Sequence, residues 1–190
     1  MEEGPYVIGV TGASGAPIAA RVLEALRLSG VDYAVVVSSG AAPVIREELG
    51  VGLEAFLEGV PRVYADSDLG APIASGSRRT RGMAVVPCSG NTLSKIALGL
   101  SDTLITRAAH VHMKEHRRLV LMPRETPLSA IELAHMTRLA ELGVVLLVAS
   151  PPYYLHPRGV QDLVDYLAGK VLDHLGVPHQ LYRGWREAGT

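Results

Sequence analysis

Five short apolar runs, rich in valine and isoleucine, punctuate the chain at residues 6–11, 33–38, 83–87, 119–123 and 144–149. They are continuous and do not alternate with polar positions. Strands buried on both faces read this way, and a parallel sheet covered by helices buries them so. Between the runs the apolar period becomes helical. Residues 17–29 place Ile18, Val22, Leu23 and Leu26 on one side and Arg21, Glu24 and Arg27 on the other, with Pro17 in the first turn. Residues 128–142 repeat the pattern, with Thr126 as the expected N-cap and Pro127 at the first helical position. A third helix is expected over 160–175, closed by Gly176 and then Pro178. Residues 59–82, with Pro61, Pro72 and the run Ser-Gly-Ser-Arg-Arg-Thr-Arg at 75–81, read as the loop-rich part, and the chain shows no internal repeat or low-complexity tract.

Five or six strands with helical crossovers in 190 residues predict an α/β fold, a three-layer doubly wound parallel sheet of Rossmann or flavodoxin-like type. One domain over residues 1–190 is expected, with a tail at 176–190 that covers the active site or makes a subunit contact. In such sheets ligands sit at the carboxyl ends of the strands, at the switch point. The loops that follow the strands therefore carry the chemistry.

Composition narrows the function. Apolar residues make up 48% of the chain, enough for a core without staples, and a single cysteine, Cys88, excludes an intrachain disulfide framework. With 18 basic against 19 acidic residues, the chain lacks the basic excess that nucleic-acid binding requires, so no nucleic-acid partner is expected. No apolar run approaches a membrane span, and the N-terminal Met-Glu-Glu-Gly-Pro has neither the basic nor the apolar region of a signal peptide. A cytoplasmic protein is the expectation. Lysine occurs only at Lys95, Lys114 and Lys170, and the aromatic residues Tyr153, Tyr154, Tyr166, Tyr182 and Trp185 crowd the end of the chain.

The first apolar run ends in Thr11-Gly12-Ala13-Ser14-Gly15-Ala16-Pro17, directly before a helix. Glycines there let backbone approach a ligand, the amides of the helix's first turn attract phosphate, and Ser14 adds a hydroxyl. The spacing is not G-x-G-x-x-G, and the second run ends in Ser38-Ser39 without an acidic residue for a dinucleotide's ribose, so NAD is disfavoured. No P-loop is present. Neutral donors at neighbouring strand ends suit a mononucleotide such as FMN. The loop Pro87-Cys88-Ser89-Gly90-Asn91-Thr92-Leu93-Ser94 repeats the arrangement, although Ser89 and Thr92 also suit plain helix capping. Cys88 has no sequence cue for a base and reads as a small buried hydrophobe.

His112 and His116 would share one helical face, and His-x-x-Glu-His is a zinc-peptidase pattern. The neighbouring Lys114, Glu115, Arg117 and Arg118 fit a charged, solvated face better, and no metal is expected. Arg124-Glu125, after the fourth run, puts a cation and a carboxylate at the strand-end rim, suited to binding phosphate and moving a proton or to a plain surface ion pair. Ser150-Pro151-Pro152-Tyr153-Tyr154-Leu155-His156-Pro157 holds two tyrosines in a stiff loop, suited to walling a flat ligand or to packing on a subunit.

Together these segments resemble the flavin prenyltransferases, the UbiX group of the flavoprotein superfamily. The likeness runs through Thr-Gly-Ala-Ser-Gly-Ala at 11–16, Ala-Pro-Ile-Ala-Ser-Gly-Ser at 71–77, Pro-Cys-Ser-Gly-Asn-Thr-Leu-Ser at 87–94, Met-Lys-Glu-His-Arg at 113–117, Met-Pro-Arg-Glu-Thr-Pro at 122–127 and Tyr-Tyr-Leu-His-Pro at 153–157. The resemblance implies a single flavoprotein domain that joins a dimethylallyl group from dimethylallyl phosphate to N5 and C6 of reduced FMN, without metal. Prenylated FMN is then the cofactor of UbiD-type decarboxylases, as in ubiquinone biosynthesis. It implies FMN contacts at Gly12, Ala13, Ser14, Ser38, Ser89, Gly90, Asn91, Thr92 and Arg124. Arg107, Lys114, Glu125, Tyr154, Lys170 and Trp185 are implied at the dimethylallyl phosphate site, with Ser14, Glu125 and Lys114 serving catalysis. Lys170 stands where some members carry arginine, which keeps the charge and loses the bidentate fork. A homo-oligomer, commonly a dodecamer with active sites between subunits, is also implied.

Two other readings share the fold. Flavin-dependent cysteine-type decarboxylases resemble one another in an essential histidine upstream of the Pro-x-Ser-x-Asn-Thr loop. Here His110, His112, His116, His135, His156, His174 and His179 all lie downstream of Pro87 to Thr92, which counts against that reading. A non-catalytic FMN electron carrier would bind flavin equally well but would have no use for Lys114, Glu125 and Tyr154.

Overall fold

The apolar runs assemble into one six-stranded parallel sheet in the order β3-β2-β1-β4-β5-β6. The computed structural model describes residues 4–184. The strands are β1 (Tyr6–Val10), β2 (Tyr33–Val37), β3 (Val63–Ala65), β4 (Gly82–Cys88), β5 (Arg118–Pro123) and β6 (Val145–Leu146). The helices are α1 (Ala16–Leu28), α2 (Ala41–Leu49), the short α3 (Leu53–Phe56), α4 (Gly90–Leu98), α5 (Leu104–Lys114), α6 (Ala130–Glu141) and α7 (Val160–Leu175). Tyr6 pairs with Tyr33 on one side and Gly82 on the other, and Gly82 pairs in turn with Arg118, so the four central strands start level. The chain winds from β1 outward to β3, then returns to β4 and winds the other way. The switch point lies between β1 and β4.

Successive residues of a strand face opposite sides, and both sides are apolar here. Ile8, Val10, Val35, Val86 and Met122 pack under α1, α2 and α7. Val7, Val36, Met83, Val85 and Leu121 pack under α4, α5 and α6. This is the doubly wound, three-layer α/β arrangement that the continuous apolar runs predict. Helix α1 is pinned to α7 by Arg21 Nε donating to Asp165 Oδ1 at 2.8 Å. Among the described residues no helix is long and apolar enough to cross a membrane.

Four local expectations need refining or correction. The loop-rich segment 59–82 also carries the sixth strand: β3 adds to the sheet edge, and Pro72–Ala74 form a 3-10 turn. Three half-exposed edge residues leave no readable pattern. The last strand is only Val145–Leu146, although Leu147 N–H continues along β5 by donating to the Leu121 carbonyl at 2.8 Å. Helix α6 starts at Ala130 with Ser129, not Thr126, as its N-cap. Ser129 Oγ accepts from Ile131 N–H at 3.2 Å, Glu132 accepts from Ser129 N–H at 2.9 Å, and the Thr126 hydroxyl is spent on the Glu125 carbonyl at 2.8 Å.

The fourth correction concerns the histidine segment. Helix α5 ends at Lys114, and His116 lies beyond it with a φ of 52°, so His112 and His116 do not share a helical face. His112 is fully buried instead of solvated. Its Nδ1 lies 2.8 Å from the Ala108 carbonyl, which can only accept, so Nδ1 carries the proton and Nε2 accepts from the Thr80 hydroxyl at 2.9 Å. Burial, aided by the Arg117 charge, lowers its pKa from 6.5 to about 4 despite the Ala108 hydrogen bond. The neutral ring is therefore part of the fold. The unfolded chain takes up this proton first on acidification, so the contribution is complete above pH 6.5 and is lost as pH falls toward about 4. Urea unfolding across that interval is expected to show wild type losing on the order of 3 kcal/mol relative to His112→Gln. A constant difference between the two proteins would contradict this.

Candidate active site

The loops leaving β1, β2, β4 and β5 converge at the carboxyl edge of the sheet, around the switch point. Thr11 ties two of them together. Its buried hydroxyl donates to the Pro87 carbonyl at 2.8 Å and accepts from Ser89 N–H at 2.8 Å, and its own amide donates to Pro87 at 3.3 Å. Ser38 N–H donates to the Val10 carbonyl at 2.9 Å, which brings the β2 loop alongside. Gly12 is required by that approach, since a Cβ there would stand 2.7 Å from the Gly40 carbonyl oxygen. Ala13 is buried beneath the loop, while Gly12 and Ser14 face outward.

On the other side of the crevice Ser89 caps α4. Its hydroxyl accepts from Thr92 N–H at 3.3 Å and pairs with the Thr92 hydroxyl at 3.0 Å. A Cβ built on Gly90 meets nothing within 4 Å, so the first turn of α4 opens onto free space, with exposed Asn91 beside it. Arg124 and Glu125 follow β5 directly and are both exposed, with Glu125 Oε1 accepting from Thr126 N–H at 3.1 Å. This open cradle of hydroxyls and amides with one guanidinium fits a flavin mononucleotide, whose phosphate needs a cation and whose ribityl chain needs neutral donors. Gly12, Ala13, Ser14, Ser38, Ser89, Gly90, Asn91, Thr92 and Arg124 all lie on the loops and helix turn that meet at this edge.

The first turn of α1 is not the free anion site that the glycine loop suggests. The carboxylate of Glu48, from the last turn of α2, already accepts from Gly15 N–H at 2.9 Å and Ala16 N–H at 2.8 Å. Burial raises its pKa, but hydrogen bonds from Ser14, Gly15 and Ala16 outweigh that and, with the nearby Arg124 charge, hold it below the ordinary glutamate value. Glu48 is thus ionised and hydrogen-bonded to the Ser14 hydroxyl. A serine so placed can hold or pass on a proton at its oxygen. Sequence reasoning missed Glu48 because nothing in Arg46-Glu47-Glu48 separates it from its neighbour.

The other expected residues lie elsewhere on the single chain. Tyr154 hydrogen-bonds to Tyr166 on the outer side of α7, where Lys170 donates to Asp173 Oδ2 at 3.3 Å. The Tyr182 hydroxyl donates to the same oxygen, and His179 Nε2 lies 3.0 Å from Asp173 Oδ1. The chain after α7 thus folds back beside Lys170. Gly169 makes this possible, since a Cβ there would stand 2.6 Å from the Tyr182 ring. Trp185 lies outside the described residues.

Arg107 sits one turn into α5, its Nε donating to the Ala74 carbonyl at 3.2 Å. Lys114 ends α5 at the opposite edge of the sheet, paired with Glu115 at 2.8 Å. The six residues of β5 separate Lys114 from Glu125, a span of roughly 20 Å. Lys114 and Glu125 therefore do not share a rim within one chain. Cys88 is buried, and burial pushes its thiol up to about 12, which leaves it unfit as a nucleophile. Among the described residues no three His, Cys, Asp or Glu side chains cluster as a metal site would require.

Comparison with known proteins agrees with this geometry. The Flavoprotein family model matches residues 1–172. The flavin prenyltransferase UbiX of Thermoplasma acidophilum is 48% identical over 94% of this chain and 98% of its own. The crystal structure of AnUbiX in complex with FMN and dimethylallyl pyrophosphate superposes with a TM-score of 0.94 at 37% identity, covering 97% of this chain and 98% of that one. A dodecameric FMN-dependent UbiX-like decarboxylase from Escherichia coli superposes with a TM-score of 0.93 at 40% identity, covering 96% and 99%. With a switch-point cradle suited to FMN and near-full-length identity to these relatives, the chain belongs to the flavoprotein family and, within it, to the flavin prenyltransferases of the UbiX group.

Proposed function

We propose that this chain transfers the dimethylallyl group of dimethylallyl phosphate to reduced FMN, giving prenylated FMN. The observation that carries the reading is the Ser14–Glu48 pair set beside Arg124 at the mouth of an FMN-shaped cradle. Bound reduced FMN supplies the ring nitrogen and carbon that accept the prenyl group. Arg124 neutralises the flavin phosphate, while Ser38 and the first turn of α4 offer the neutral donors. The ionised Glu48 keeps the Ser14 hydroxyl oriented and able to move a proton.

Breaking an allylic C–O bond builds positive charge on carbon and negative charge on the departing phosphate. Arg107, Lys114 and Lys170 supply fixed cations for the phosphate, Glu125 passes a proton to or from it, and Tyr154 with Trp185 walls the prenyl chain. Because Lys114 and Glu125 stand at opposite edges of one sheet, these groups meet only across copies of the chain. The active site is accordingly a composite one in a homo-oligomer, for which the dodecamer of the Escherichia coli relative is the pattern. Helix α6 supports this, because it buries only Leu139 and leaves Ile131 and Leu133 65% and 50% exposed in the single chain. The product would serve a UbiD-type decarboxylase in the cytoplasm. The downstream position of every histidine still counts against a cysteine-type decarboxylase, and an electron carrier leaves the three cations without a task.

Incubation with reduced FMN and dimethylallyl phosphate in the absence of oxygen is expected to add one C5H8 unit to the flavin, read by mass spectrometry. Bound FMN that gains no such unit, from the phosphate or the diphosphate, would sink the proposal. Glu125→Gln is expected to retain FMN while slowing prenyl transfer by roughly a hundredfold. Equal rates in stopped-flow absorbance would remove its proton role. Arg124→Ala is expected to weaken FMN binding by at least about tenfold, with less dependence on salt, in a fluorescence titration.

A further inference from the structure

Lys114 is braced from behind by a segment that none of the flavin contacts uses. Residues 75–81 run past the end of α5, and Arg117 lashes them down with one guanidinium. It donates to the Gly76 carbonyl at 2.6 Å, the Arg78 carbonyl at 2.8 Å and the Thr80 hydroxyl at 3.2 Å. Thr80 in turn donates to the buried His112 Nε2 at 2.9 Å, and His112 is tied to the Ala108 carbonyl in α5 at 2.8 Å. The chain of hydrogen bonds therefore starts inside the helix that carries Lys114 and ends on the backbone of Gly76.

Gly76 lies against the Lys114–Glu115 pair. A Cβ there would stand 2.3 Å from Glu115 Oε1 and 2.8 Å from Lys114 Nζ. The Glu115 carboxylate is shared, with Oε1 held by Lys114 at 2.8 Å and Oε2 lying 3.8 Å from Arg117 NH2. A lysine has four rotatable bonds and costs considerable entropy to hold in one place. Here the flat Gly76 backbone limits it on one side and the Arg117-held carboxylate on another. Arg117 is more enclosed than Lys114, with side-chain exposures of 16% and 57%, so the brace is the rigid member and the ammonium the presented one.

We infer that Gly76 and Arg117 are positioning residues that aim the Lys114 ammonium at the phosphate of the allylic substrate bound to a neighbouring copy. The inference rests on the role proposed above for Lys114. Gly76→Ala tests it with little threat to the fold, because the atoms a Cβ would meet are the far ends of two flexible, exposed side chains. Steady-state kinetics at saturating reduced FMN are expected to show KM for dimethylallyl phosphate raised about tenfold, with kcat altered far less and the FMN affinity unchanged. Arg117→Lys, which keeps the charge and loses the three-way fork, is expected to do the same. Lys114→Ala supplies the ceiling, and the Lys114→Ala/Gly76→Ala double variant is expected to be no worse than Lys114→Ala alone.

Additive losses in the double variant, or an unchanged KM in both Gly76→Ala and Arg117→Lys beside a raised KM in Lys114→Ala, would overturn the brace alone. An unchanged KM in Lys114→Ala, or a wild type that binds FMN without transferring the prenyl unit, would overturn the reading on which it rests and the brace with it.

Discussion

The Thr11 hydroxyl joins the two loops that diverge where the sheet reverses its winding, donating to one backbone group and accepting from another of the same neighbouring loop. Together with the Thr11 amide, which also donates to Pro87, that hydroxyl locks the β1 and β4 loops to each other beyond the last sheet pairing. Both of its partners are backbone atoms in a buried place, where an unmet donor or acceptor costs more than the bond itself contributes. The cradle follows from it: Ser89 is set as the cap of α4, Gly12 is pressed against Gly40, and the first turn of α4 is left open.

The distribution of charge over the chain is equally constrained. Helix α5 runs back from the carboxyl edge of the sheet to the start of β5, so Lys114 at its end and Arg124 and Glu125 just beyond β5 stand at opposite edges of the same chain. Tyr154 and Lys170 form a separate group on the outer side of α7. Under the proposed reading, a site needing all of them requires apposed copies, and the apolar residues left uncovered on α6 offer such copies a surface to pack against.

Glu48 changes the electrostatics that a glycine loop ahead of a helix normally implies. The helix dipole and free amides that would draw a phosphate are satisfied by a carboxylate from α2. The same carboxylate, kept ionised by those amides, polarises Ser14 next to it. One residue thus occupies the amides that open α1 and holds the Ser14 hydroxyl, while Arg124 and the first turn of α4 stay open.

Much of this was legible in the chain itself. Continuous apolar runs required a sheet covered on both faces, helical periods marked α1 and α7 within a residue, and Ser14, Ser89 and Arg124 announced themselves by following strands. Short-range chemistry determines such features, because the side chains that cause them are neighbours in sequence. The edge strand β3, the burial of His112, the contacts of Glu48 and the close approach at Gly76 were decided only by the tertiary structure. In each of these the deciding partner lies in another element: β2 for β3, Thr80 for His112, the α1 amides for Glu48, the Lys114–Glu115 pair for Gly76. The Ser129 cap is different, since its partner Glu132 is close in sequence and the neighbouring Thr126-Pro127 hid it. Three-dimensional proximity, which has no local trace in the residues themselves, separates what could be read from what had to be seen.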